Sequence, residues 1–219
     1  EAVRVDAADE RWLFSTGRWA ALRQALVDGL AAFHAKEPDA LGVDAGRLRR
    51  VALPRAPTEV VLRAVDALVA EGRVARHGAF LHLPEHALRL GEAERRVAEA
   101  LLPKIAEGRF DPPWVRDLAR DCALSEPTVR TTLQRVARRG DVFAVVKDLY
   151  YSAAAMTELA TMARAIAAEQ GTVRAADFRD RSGLGRKRAI QVLEFLDRVG
   201  VLRRAGDDHV PRPDSTMFR

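Results

Sequence analysis

The sequence predicts a mainly α fold with small β wings, an α+β tandem array, on three observations. Amphipathic helical stretches at residues 59–71, 128–139 and 186–199 each stop at a glycine: Gly72, Gly140 and Gly200. Each is followed by a short β-prone run, a turn and a second such run, at residues 74–83, 142–151 and 201–210. Each is preceded by two further helical patterns, at 19–34 and 45–51, at 92–107 and 113–122, and at 153–169 and 175–181. Glycine adopts the left-handed cap that ends a helix at little cost, and a β-branched or aromatic run beyond it reads as a strand. The order helix, helix, helix, hairpin thus occurs three times, and self-similarity over a few tens of residues marks a repeat array.

Short breakers separate the second and third helices of each unit: Pro54 and Pro57, then residues 123–127 with Pro127, then residues 182–185 with Gly183 and Gly185. They supply the turn of a helix-turn-helix. Three helices, the last two forming that motif, followed by a β wing make a winged-helix domain. The expected domains are residues 18–88, 89–153 and 154–219. Residues 1–17 resemble a wing with no helices before it and are read as the remnant wing or linker of a preceding unit. With Glu1 in place of an initiator Met, the sequence reads as a piece of a longer protein.

The 219 residues are 48% apolar and 31% charged, with a mean hydropathy of −0.17. No apolar run approaches the roughly 18 residues of a membrane span. Lys and Arg outnumber Asp and Glu by 36 to 31, giving a net charge of +5, which suits a polyanionic partner. Only four of those cations are Lys (Lys36, Lys104, Lys147 and Lys187), and this Arg preference follows first from a GC-rich coding sequence. The single cysteine, Cys122, excludes an intrachain disulfide and any multi-cysteine zinc site; it reads as a small buried hydrophobe in a reducing, cytoplasmic setting.

Enzymatic motifs fail on context. His82, Glu85 and His86 spell H-x-x-E-H, a zinc-peptidase signature that needs both histidines on one helix face, but Pro84 sits between them beyond a strand-like run. There is no P-loop, no strand-borne G-x-G-x-x-G and no G-x-S-x-G elbow, so no cofactor is expected for this stretch.

The third helix of the last unit carries the one constellation that points to a ligand. Ala189, Val192, Leu193 and Leu196 form an apolar stripe at i, i+3, i+4 and i+7, which Ile190 and Phe195 widen. Arg186, Lys187 and Arg188 stand at its start and Gln191 lies one turn on; Arg179 and Arg181 precede the turn, and Arg203 and Arg204 lie in the wing. Cations at a helix N-terminus oppose the macrodipole, and a phosphate would relieve that cost. The middle unit instead carries Arg135, Arg138 and Arg139 near its helix C-terminus, where the dipole accommodates them; the first unit begins its third helix with Pro57 and Glu59. These two read as spacers or docking units.

Residues 173–180, 185–200 and 203–209 resemble the C-terminal winged-helix region of bacterial SelB, the selenocysteine-specific translation elongation factor family. The resemblance rests on Arg186, Lys187, Ala189, Ile190, Leu193, Glu194, Asp197 and Arg198, followed by a basic wing with Gly206 and Asp207. Phe33, His34, Lys36, Glu37, Pro38, Gly42, Leu48 and Arg49 extend it to the first unit, so that it runs from about Trp12 to the end, weakly marked in the middle. It implies a mRNA-binding module for the selenocysteine insertion (SECIS) hairpin, directing selenocysteine to an in-frame UGA codon. GTP, Mg²⁺ and selenocysteyl-tRNA would be handled by upstream domains, with the ribosome as a further partner and the chain a cytoplasmic monomer, itself not an enzyme. The RNA-binding set it implies is Arg181, Ser182, Gly185, Arg186, Lys187, Gln191, Arg203, Arg204 and His209. Gly185 and Leu202 depart from the family, which often has hydroxyl residues there.

The physics favours RNA loops over duplex DNA, because past Gln191 the outer face of the helix offers only Glu194 and Arg198, a poor row for reading a major groove. A tandem winged-helix DNA-binding regulator and a protein-docking array stay open as alternatives.

Overall fold

The computed structural model describes residues 2–6, 11–38, 40–86 and 90–218, in two compact units, residues 1–88 and 89–219. The first unit opens with an antiparallel hairpin, β1 (Ala2–Asp6) and β2 (Arg11–Ser15), in register from Ala2 opposite Ser15 to Asp6 opposite Arg11. Ser15 ends the hairpin and starts α1 (Thr16–Lys36), its hydroxyl accepting the Arg18 N–H at 3.3 Å. Asp44 caps α2 (Ala45–Ala52) in the same way through the Arg47 N–H, and α3 (Thr58–Ala70) follows. The wing is β3 (Ala75–His77) paired with β4 (Phe80–His82) around Gly78, whose φ of 56° suits glycine.

Leu26 and Leu30 of α1, Leu48 of α2, and Val60, Val61, Ala64, Val65 and Leu68 of α3 make the core of this unit. The N-terminal hairpin packs on that core, with Val5 2% exposed and Val3, Trp12 and Phe14 beside it. His82 lies in β4 and His86 beyond a turn, so no helix carries the two histidines of the H-x-x-E-H string.

The second unit contains two winged helices in succession. The first comprises α4 (Glu92–Glu107), α5 (Val115–Asp121), α6 (Glu126–Arg139), β5 (Val142–Val146) and β6 (Leu149–Ser152). The second comprises α7 (Ala153–Gln170), α8 (Ala175–Ser182), α9 (Arg186–Arg198), β7 (Leu202–Ala205) and β8 (Asp208–Pro211). No linker separates them: Ser152 ends β6 and caps α7 by accepting the Ala155 N–H.

All three winged helices share one tie, an antiparallel bridge from a residue one or two positions ahead of the second helix to the last wing strand. The pairs are Val43 with Leu81, Trp114 with Leu149, and Val173 with His209. The bridge closes the wing against the helices, so a helix-turn-helix and a hairpin become one small domain.

Within the second unit, Phe143 of β5, Phe195 of α9 and Phe218 form an aromatic cluster with centroid separations of 4.8–6.4 Å. Arg164 of α7 donates to the Met217 and Phe218 carbonyls and holds the C-terminal segment there. None of the described helices is long and apolar enough to cross a membrane.

Two expectations are corrected. Cys122 is half-buried at the rim of the middle core, its Sγ 3.9 Å from the Ala100 carbonyl, because α5 ends at Asp121 and leaves Cys122 on the turn. Ile190 does not widen the apolar stripe of α9: it is 36% exposed, since the core face is already filled by Ala189, Val192, Leu193 and Leu196.

Candidate nucleic-acid interface

The turn before α9 is built on two glycines. Gly183, with a φ of 71°, caps α8 in the left-handed region, Leu184 plugs the core, and Gly185 is the N-cap of α9. Gly185 has an ordinary φ of −65°, and a Cβ placed on it would meet nothing within 4 Å. It therefore brings open space and no capping side chain, whereas Ser15, Asp44, Ser125 and Ser152 cap α1, α2, α6 and α7. The backbone donors at the start of α9 have no side-chain acceptor there and can turn to an anion.

Arg186 and Lys187 flank those donors, exposed, with no hydrogen bond or ion pair among the described residues. Ile190 and Glu194 continue the same outer face, and Gln191 is half-buried beside it. In the wing, Arg203 is exposed and unpaired among the described residues, while Arg204 bends over the turn and donates from Nε to the Gly206 carbonyl at 3.0 Å. Asp207 is exposed on that turn, which sets a repulsive limit on how closely a polyanion approaches the tip.

Three residues of the sequence-derived set are tied into the scaffold. Arg181 forms a two-pronged pair with Glu169 (2.8 and 2.5 Å), whose carboxyl it holds below the usual glutamate range. Ser182 is buried, donating to the Phe178 carbonyl at 2.6 Å and accepting the Leu184 N–H, so its hydroxyl shapes the turn from within. His209 is 6% exposed and is not brought to the surface with the others. Its Nδ1 is 2.8 Å from Asp197 Oδ2 and its backbone makes the bridge to Val173, which fixes the wing to the end of α9.

Sequence reasoning also missed where Arg188 and Arg198 point. Arg188 leaves the basic run for the neighbouring winged helix, bonding Asp111 Oδ1 at 2.8 Å and lying over the Trp114 ring. Arg198, expected on the outer face, donates to the Ala144 and Val145 carbonyls of β5 at 3.1 and 2.8 Å. Arg188, Phe195 and Arg198 are spaced i, i+7, i+10, a second stripe that periodicity could have shown.

The middle recognition helix, α6, is neutralised from within. Arg130 pairs with Asp148 and Glu126, Arg135 with Glu94, and Arg139 with Asp141. At the start of α9 only Arg188 meets a counter-charge, Asp111, while Arg186 and Lys187 have none among the described residues; in α6 Arg138 alone is left exposed in the same way.

Models of elongation factor SelB winged-helix domains match residues 164–210 and 27–83, and a model of the winged-helix domain of selenocysteine-specific elongation factor matches residues 98–151. The solved mRNA-binding domain of Escherichia coli SelB, in complex with SECIS RNA, is 42% identical with a TM-score of 0.53; the match covers 56% of this chain and 99% of that domain. The chain belongs to the SelB winged-helix family. It is 39% identical over 201 residues to the selenocysteine-specific elongation factor of Escherichia coli (strain K12), covering 92% of this chain and 32% of that protein. The Haemophilus influenzae factor is 30% identical over 207 residues, 94% of this chain and 33% of its own length. The chain thus spans about a third of the length of the curated relatives it matches. The SelB match at 164–210 contains α8, α9 and the wing, the part of the fold that carries the free cations.

Proposed function

We propose that this chain is the mRNA-binding module of a selenocysteine-specific elongation factor, holding a SECIS hairpin at the start of α9 and at the adjoining wing. The observation that carries the reading is the uncapped Arg186-Lys187 turn, free of internal partners among the described residues, in a chain 42% identical to a SelB domain solved with SECIS RNA.

Arg186 and Lys187 neutralise hairpin phosphates, and the N–H groups that Gly185 leaves open donate to the same oxygens. A-form RNA hides its base edges in a deep, narrow groove, so sequence is read on unstacked loop or bulge bases. A compact helix start reaches such bases, with the Gln191 amide as the reading group. Arg203 and Arg204 add charge from the wing, and Arg181, Ser182 and His209 hold the frame.

Tethered to the hairpin, the factor would stay beside the UGA codon on the ribosome, in the cytoplasm, as a monomer, delivering selenocysteyl-tRNA through other parts of the protein. The handling of GTP and Mg²⁺ we assign to other parts of the protein. The chain's own role is binding rather than catalysis.

The test is a competition titration at about physiological salt, where non-specific charge binding is weakened. The competitors are a SECIS-type hairpin, the same hairpin with loop and bulge bases changed, and a matched DNA duplex. Tight binding to the intact hairpin alone, weakened by about 1–3 kcal/mol in Arg186→Ala and in Lys187→Ala, is the expected result. Equal, salt-sensitive binding to all three would reduce the cluster to a generic charge patch.

A further inference from the structure

Cations on the first turn of a helix oppose its dipole, a mild cost that a restraint on the turn offsets. At α9, as at α3, α5 and α8, no side chain caps the first turn, because Gly185 offers none and follows the glycine turn at Gly183. A restraint comes from outside the domain. Arg188, the third cation, is only 18% exposed and enters a socket on the middle winged helix. There its Nη2 meets Asp111 Oδ1 at 2.8 Å, its Nη1 donates to the Tyr151 hydroxyl at 3.3 Å, and its guanidinium lies 5.4 Å from the centre of the Trp114 ring. The socket is itself braced, since the Tyr151 hydroxyl donates to the Phe110 carbonyl at 3.0 Å.

We infer that Arg188 is a positioning residue for RNA binding: seated in the Asp111, Tyr151 and Trp114 socket of the middle winged helix, it holds the uncapped first turn of α9 in place of an N-cap. The middle unit then serves the grip without touching RNA. The inference rests on the RNA-binding reading above. Its sharpest consequence concerns Asp111, which is 84% exposed and carries a negative charge next to the basic turn. As a bystander it would repel RNA, so removing it would tighten binding; as the seat of Arg188, removing it loosens the turn and weakens binding.

The experiment is hairpin titration of the full chain, parent and variants, over a range of salt concentrations. Asp111→Ala, a surface change that leaves the cores intact, binds about fivefold more weakly, the factor that loss of one helix cap produces. Equal or tighter binding overturns the inference. Arg188→Ala also binds more weakly, with the slope of log affinity against log salt unchanged; a slope smaller by about 0.7–0.9 means that Arg188 contacts a phosphate directly and overturns it. Hydrogen exchange at the Ala189 amide, bonded to the Gly185 carbonyl at 3.0 Å, quickens in both variants. Unchanged exchange overturns the inference. If Arg186→Ala and Lys187→Ala bind normally, the RNA-binding reading itself fails. If they weaken binding and Asp111→Ala does not, only the positioning role fails.

Discussion

His209 Nδ1 and Asp197 Oδ2 lie 2.8 Å apart beneath the surface of the last winged helix, joining wing strand β8 to the last turn of α9. The other carboxylate oxygen, Asp197 Oδ1, is buried with no hydrogen-bond partner in the structure, so the histidine is what compensates this acid. His209→Ala leaves Asp197 without its side-chain partner and removes one tie to the wing, while the backbone bridge to Val173 stays. Urea unfolding is expected to show a loss of about 1–3 kcal/mol. Hairpin affinity falls with it while its salt slope stays the same, because His209 positions Arg203 and Arg204 and meets no phosphate. A reduced slope would return His209 to the RNA surface.

Asp148 sits at the tip of the middle wing with a φ of 62°, and Arg130 binds it at 2.7 and 3.0 Å. The Arg130 hydrogen bonds, with its positive charge, hold the Asp148 carboxyl below the ordinary Asp value of 3.8. A carboxyl with a lowered folded pKa stabilises the fold above its unfolded pKa, and that contribution disappears as pH falls through the folded value. Asp148→Asn keeps a residue that tolerates the left-handed conformation and removes only the charge. Its Tm is expected below that of the parent at about pH 6, with the gap closing as pH falls below the ordinary Asp value of 3.8. A constant gap would assign the effect to the turn rather than the ion pair. Hairpin affinity is expected to be unchanged at about pH 7, because the proposed grip lies at α9 and its wing and does not use Arg130 or Asp148.

The helices were legible because their signals are local. The pattern at 153–169 is α7 (Ala153–Gln170) and that at 186–199 is α9 (Arg186–Arg198), each framed by a residue visible in the sequence, Ser152 before one and Gly200 after the other. Helix α1 begins at Thr16, three residues before the apolar pattern, because Ser15 caps it and Trp19 is only its first buried residue. The free pair Arg186 and Lys187 was also legible, from charge at a helix start. Arg188 was not, because a charge that binds a neighbouring domain has the same sequence signature as one in solvent. The exposure of Ile190 and the burial of His209 were not legible for the complementary reason: hydrophobicity and polarity set averages, while exposure is decided by what else fills the face, Val192 and Leu193 in one case and Asp197 in the other.

His34 of the first unit is buried, accepts the Leu83 N–H on Nε2 at 3.2 Å, and stacks on His86 at 3.6 Å. Burial first, then the charges of His86 and His82, lowers its pKa from 6.5 to about 4. The unfolded chain therefore takes up this proton near pH 6.5 while the folded chain resists it until about pH 4. Stability is full above the first value and falls between the two, by on the order of 2 kcal/mol. Denaturant unfolding of His34→Phe is expected to give a lower stability at about pH 7, from the unpaired Leu83 N–H, and a flatter dependence down to about pH 4. An unchanged dependence would move the titration to other groups.

Gly42 precedes the bridge that closes the first wing, with Val43 and Leu81 exchanging backbone bonds of 3.2 and 2.8 Å. A Cβ on Gly42 would overlap the Leu81 carbonyl oxygen and lie 2.8 Å from its carbon. These are backbone atoms, so no rotamer change relieves the clash; the bridge must open or the wing must shift. Gly42→Ala is expected to cost the first unit about 2–4 kcal/mol, the range for breaking a buried backbone pair with added strain. The second unit has its own cores, so first-unit unfolding, followed by hydrogen exchange at the α3 amides, moves to lower denaturant while hairpin binding at α9 persists. Loss of both together would mean that the first unit is required to fold the second.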